Sequence, residues 1–66
     1  MMQSIHESAW IADGVQLYGK VEIGAHSSLW PHVVIRAEAQ QVRIGRYTNL
    51  QDFVMVHIGY TAPTTI

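Results

Sequence analysis

Residues 5–40 divide without remainder into IHESAW, IADGVQ, LYGKVE, IGAHSS, LWPHVV and IRAEAQ. Each six-residue unit opens on an aliphatic side chain: Ile5, Ile11, Leu17, Ile23, Leu29 and Ile35. After a three-residue expansion the series resumes at Ile44, Leu50 and Val56, and after a second gap Ile66 takes the same place. Four residues after most of these aliphatics stands something small or β-branched: Ala9, Val15, Val21, Ser27, Val33, Thr48 and Val54. Six is a multiple of the strand period of two, so every sixth residue of an extended chain can face the same way. It is not a multiple of 3.6, so a straight helix would rotate these residues off one face.

Val, Ile and Thr make up 18 of the 66 residues, an enrichment that favours strands. A small antiparallel barrel would need hairpin dipeptides, and Asp13-Gly14 is the one such signal. The pattern therefore predicts an all-β chain, a left-handed parallel β-helix of hexapeptide repeats in a single domain over residues 1–66. Three units make one triangular coil of about 18 residues. The expected coils run 5-11-17, 23-29-35 and 44-50-56, with Ile66 opening a fourth. The expansion between Ile35 and Ile44 is expected to be a corner loop, and residues 58–63 a longer loop carrying Gly59, Thr61 and Pro63.

Composition narrows the function classes. Four Lys and Arg against five Asp and Glu give a net charge of -1, scattered along the chain, which argues against a nucleic-acid footprint or a polybasic membrane anchor. There is no cysteine, so disulfides and thiolate metal sites are excluded. No apolar run is long enough to span a bilayer as a helix, and the N-terminal residues lack the basic and apolar regions of a signal peptide, so a cytoplasmic location is expected. A chain of this size buries little surface, so self-association is expected.

The register also places outward residues. Equal positions in successive coils stack about 4.8 Å apart, one strand spacing. Leu17, Ile35 and Val56 should form an inward column, with Tyr18, Arg36 and His57 as the outward column beside it. Ile11, Leu29 and Leu50 should likewise stack inward, with Ala12, Trp30 and Gln51 following outward. Glu38 leaves the Arg36 corner, and Gln51 and Asp52 begin the run that leads to His57. A cation, two carboxylates, an amide and an imidazole are thus expected to converge on one edge of the prism. His6, His26 and His32 read as surface or interface residues, and Trp30-Pro31 as packing at a corner or interface.

The stretches LWPHVVIRAE at 29–38, IGRYTNLQD at 44–52 and VH at 56–57 resemble the gamma-class carbonic anhydrases and their bacterial hexapeptide-repeat relatives. That family carries Arg-Gly-Asp, Thr-Asn-Ile-Gln-Asp and a first zinc-binding His at matching spacing. The resemblance covers nearly the whole chain. It implies a trimer of left-handed β-helices with zinc as cofactor, held by three His at subunit interfaces, and CO2 or bicarbonate as the small-molecule substrate. It further implies that His57 is a metal ligand, that Gln51 positions the metal-bound water or bicarbonate, and that Arg36 and Asp52 buttress the interface and orient substrate. Arg36-Ala37-Glu38 stands where the family has Arg-Gly-Asp, and Phe53 where a Gly often follows the Gln-Asp pair. The family's other two zinc His would lie in a coil beyond Ile66, so the chain reads as an N-terminal portion or a natural truncation, inactive by itself. A hexapeptide-repeat acyltransferase and a non-catalytic trimeric assembly module are the alternative readings.

Overall fold

The computed structural model describes residues 3–57 and 64–66, apart from the side chains of residues 38, 39 and 64. The loop expected at 58–63 and the expected placement of the Glu38 side chain lie outside the described residues. The described chain is built of short strands: β1 Gln3–Ile5, β2 Trp10–Ile11, β3 Gln16–Ile23, β4 Ser28–Leu29, β5 Val34–Ile44, β6 Asn49–Leu50, β7 Met55–His57 and β8 Thr64–Thr65. Every pairing between them is parallel. The order β1-β3-β5-β7, with β8 also on β5, makes one sheet, and β2-β4-β6 makes the other. A strand that pairs in parallel with the strand one full circuit later is the topology of a parallel β-helix, consistent with the left-handed form of hexapeptide repeats.

The first sheet bends, so the prism has three faces. Face one holds β1, residues 21–23 of β3, residues 42–44 of β5, and β8. Face two is β2, β4 and β6. Face three holds residues 16–19, residues 34–37 and β7. The first corner is a stack of the turns Glu7-Ser8, Ala25-His26 and Arg46-Tyr47. The second stacks Asp13-Gly14, Pro31-His32 and Asp52-Phe53. Asp13-Gly14 therefore turns one face into the next and makes no hairpin. At the third corner Gly19 takes a left-handed φ of 82°, which lets the backbone swing without a Cβ clash.

The six-residue series points inward as expected. Leu17 pairs with Ile35 and Ile35 with Val56; Ile11 pairs with Leu29 and Leu29 with Leu50; Ile5 pairs with Ile23 and Ile23 with Ile44. Leu29, Ile35, Ile44, Val21, Val33 and Val42 are fully buried, each contributing about 1.5–3 kcal/mol by leaving water. The middle coil is the best covered, because it has neighbours on both sides. Ile5 and Ile66, in the outermost coils, stay 43% and 46% exposed.

One expectation is corrected. The expansion between Ile35 and Ile44 is not a corner loop outside the strands: β5 runs through it from Val34 to Ile44. The register shifts from Gly19↔Ala37 to Val21↔Val42, so the extra residues form a bulge at the third corner. The bulge is pinned on its far side, where Gln41 Nε2 donates to Glu22 Oε2 at 2.6 Å and the pairing resumes at Val42. Ala37, at the position of the family's Gly, points inward and is 4% exposed, so its methyl group is absorbed by the core.

Candidate functional site

On face three the strand alternation that buries Leu17, Ile35 and Val56 turns Tyr18, Arg36 and His57 outward. Tyr18 is the register partner of Arg36, and Arg36 of His57, so the three side chains leave adjacent rungs about 4.8 Å apart. Arg36 is half-buried between its neighbours, whereas His57 is exposed. The Tyr18 hydroxyl donates to Gln16 Oε1 at 2.6 Å, which ties the phenol to its own strand. The Arg36 guanidinium thus leaves the rung next to that of the exposed His57 imidazole.

Gln51 and Asp52 lie elsewhere. The ladder of face two extends past its strands through Ala12 N to Leu29 O and Trp30 N to Leu50 O, both 2.9 Å. This sets Ala12, Trp30 and Gln51 outward on face two, as the register predicts. Asp52 belongs to the turn with Phe53, at the second corner. Convergence of all these groups on one edge is therefore not what a single chain provides. Arg36 and His57 come together, while Gln51 is on the neighbouring face. The reason is length: the extended run from Asp52 to His57 advances about 3.3 Å per residue and crosses all of face three.

Beside Gln51, face two carries an aromatic patch. Trp10 and Trp30 meet edge to face with centroids 4.8 Å apart. Trp30 Nε1 donates to Ser28 Oγ at 3.0 Å, and Ser28 Oγ donates to Asn49 Oδ1 at 2.7 Å. Both indoles remain substantially exposed.

Sequence reasoning missed the order at the turn corners. His26, Tyr47, His32 and Phe53 all take left-handed φ values, between 56° and 64°. His26 stacks on Tyr47 with centroids 5.0 Å apart, and His32 on Phe53 at 5.1 Å. His26 and His32 are exposed, as their reading as surface residues expects, and each also stacks at a corner on an aromatic of the next coil. The legible signal was the Gly that the family often carries at the position of Phe53: a Gly there marks a left-handed backbone.

Among the described residues no group of three or more His, Cys, Asp or Glu is placed to hold a metal. A catalytic zinc site takes three protein ligands and an open position, and the Arg36 column supplies one imidazole. The described donors of one chain therefore do not fit a complete zinc site.

Comparison with known proteins bears on the same residues. The family model described as "Bacterial transferase hexapeptide (six repeats)" matches residues 4–37. A "Probable carbonic anhydrase" of Methanocaldococcus jannaschii is 40% identical over 62 residues, covering 94% of this chain and 39% of that protein. The "Uncharacterized transferase YtoA" of Bacillus subtilis is 45% identical over 53 residues, covering 80% and 31%. "Gamma carbonic anhydrase 3, mitochondrial" of Arabidopsis thaliana is 34% identical over 58 residues, covering 88% and 22%. The chain thus spans well under half the length of each of these relatives. Six-residue register, parallel coils and matched residues agree: the chain belongs to the hexapeptide-repeat family, on its gamma-carbonic-anhydrase-like side.

Proposed function

We propose that this chain carries the Arg36–His57 part of a zinc-dependent carbonic anhydrase site, completed between copies of the protein. The observation that supports this most directly is the outward pairing of Arg36 with His57 on adjacent rungs. It occurs in a chain that resembles carbonic anhydrases along most of its length. In this reading His57 is one zinc ligand, and the zinc when bound supplies Lewis acidity near neutral pH. Arg36 draws bicarbonate to the imidazole. Gln51 and Asp52 contribute from a neighbouring copy, orienting the substrate and bracing the contact.

In this reading the copies assemble as a trimer. Gln51 and His57 occupy different faces, so bringing them together needs face two of one copy against face three of the next. That is a head-to-tail contact, and a ring of three closes it. The two-tryptophan patch on face two adds apolar area to such a contact.

The experiment is a metal and activity assay on the longest form of the protein that carries this chain. Zinc should bind stoichiometrically; His57→Ala should abolish it, and Gln51→Ala should keep the zinc while lowering turnover of CO2. Full zinc occupancy in the His57→Ala protein would overturn the assignment. The 66-residue chain alone should show no zinc-dependent CO2 hydration. A transferase reading is favoured by the names of the family model and of YtoA; release of free thiol from an acyl-CoA by the zinc-free protein would select it instead.

A further inference from the structure

Face one, away from the Arg36 column, has an outward groove of about 300 Å³ lined by His6, Glu22, Gly24, Arg43, Gly45 and Arg46 among others. Gly24 and Gly45 add no side chain to it. Gly24 and Gly45 stack so closely that a Cβ on Gly24 would lie 2.7 Å from the carbonyl carbon of Gly45. Their amide N–H groups are committed to the ladder, Gly24 N to Ile44 O at 2.8 Å and Gly45 N to Ile66 O at 2.7 Å.

The lining has more donors than acceptors. Glu22 is its one acidic residue, and its Oε2 already accepts from Gln41 Nε2 at 2.6 Å and from Arg43 Nε at 2.7 Å. Arg43 uses only Nε in that pair, so the terminal N–H groups of its guanidinium stay available. The Arg46 guanidinium, also on the groove, makes no hydrogen bond or ion pair among the described residues. His6 is oriented by Ser8. The Ser8 backbone N–H donates to His6 Nδ1 at 3.1 Å, and the Ser8 hydroxyl, which accepts from His26 N at 2.9 Å, lies 2.8 Å from the same nitrogen. Nδ1 is therefore an acceptor, and in the neutral ring the proton is on Nε2, a further donor.

We propose that this groove binds a small oxyanion, a carboxylate or a phosphate, through Arg46 and the outer edge of Arg43, with the Gly24–Gly45 backbone beneath it. Among the lining side chains, two guanidinium groups stand against one engaged carboxylate. The planar forks match the geometry of an oxyanion. The volume limits the ligand to a small acid. The site does not depend on the carbonic anhydrase reading, because it shares no residue with the Arg36 column.

The test is a titration of the isotope-labelled chain with sodium phosphate and with sodium malonate, followed by amide NMR against sodium chloride at matched ionic strength. Saturable shifts are expected at Gly24, Gly45 and Arg46 with at least one of the two anions, and which anion acts distinguishes phosphate from carboxylate. Arg46→Gln should weaken binding about fivefold or more, a loss near 1 kcal/mol. Arg46 is exposed, so this variant should keep the fold; Arg43→Gln, read at the same amides, is the second variant. Shifts that equal those in chloride, that fail to saturate, that centre on Arg36 and His57, or that survive Arg46→Gln would overturn the proposal.

Discussion

The imidazole of His32 lies against the ring of Phe53 with centroids 5.1 Å apart and planes inclined by 19°, and both residues hold a left-handed backbone. Each such backbone costs a residue with a Cβ about 1–2 kcal/mol. Stacking between the rings returns about 0.5–1.5 kcal/mol. The second corner therefore replaces the conformational ease of glycine with a side-chain column that runs from Gly14 through His32 to Phe53.

That column makes Gly14 sensitive. A Cβ at Gly14 would stand 2.7 Å from His32 Nδ1, on a backbone with φ of 80°. Gly14→Ala should lower stability by about 2 kcal/mol. His32→Gly in the same chain removes the clash but not the strain, so the double variant should lose less than the sum of the two single changes. Urea unfolding of the four proteins checks this; strict additivity would count against the contact.

Ser27 is the buried polar residue of the core, 1% exposed. Its Oγ donates to Gly45 O at 2.6 Å and accepts from Thr48 N at 3.1 Å, so one hydroxyl serves the turn of the next coil twice. Ser27→Ala strands a carbonyl and an amide and should cost about 1–3 kcal/mol. Faster amide exchange should be localised at Thr48; an unchanged rate there would refute the role.

The two stacked glycines should respond unequally. At Gly24 an added Cβ meets backbone of the next coil at 2.7 Å, and backbone cannot step aside. At Gly45 the nearest atom is Ile66 O at 3.1 Å. Gly24→Ala should cost about 3 kcal/mol and Gly45→Ala clearly less. Thermal melts that rank them the other way would show that the coils are not as tightly spaced as described.

Removing the exposed imidazole should leave the fold intact. His57 is exposed and outside the core, so His57→Ala should change stability by no more than about 0.5 kcal/mol. Ile35→Ala, one rung away and facing inward, should cost about 2–5 kcal/mol and unfold much of the population. Circular dichroism melts of the two variants separate a site residue from a core residue.

Much of the fold was legible because one number governs it. The six-residue spacing assigned the inward columns through Leu17, Ile35 and Val56 and through Ile11, Leu29 and Leu50, and the outward pairing of Arg36 with His57 followed from it. The bulge in β5 was not legible, since an insertion of three residues looks the same whether it leaves the strand or stays within it. The corner stacks escaped because left-handed positions are sought at glycine, and here His and aromatic residues hold them. The separation of Gln51 from His57 escaped for a different reason: register fixes which rung a residue is on, but residues on one rung can still lie on different faces.

The circuit length of the coils also bears on how the molecule is made. The described strands pair with the strand one circuit away, at offsets of 18 residues between the first coils, 21 between the next and 22 from β5 to β8. A ribosome releasing roughly 5–20 residues per second completes such a circuit within a few seconds. Until the second circuit emerges, β1 and β2 lack β3 and β4, the strands they pair with. Once Val21 and Leu29 are out, each later circuit docks on a finished template, and assembly can follow the direction of synthesis.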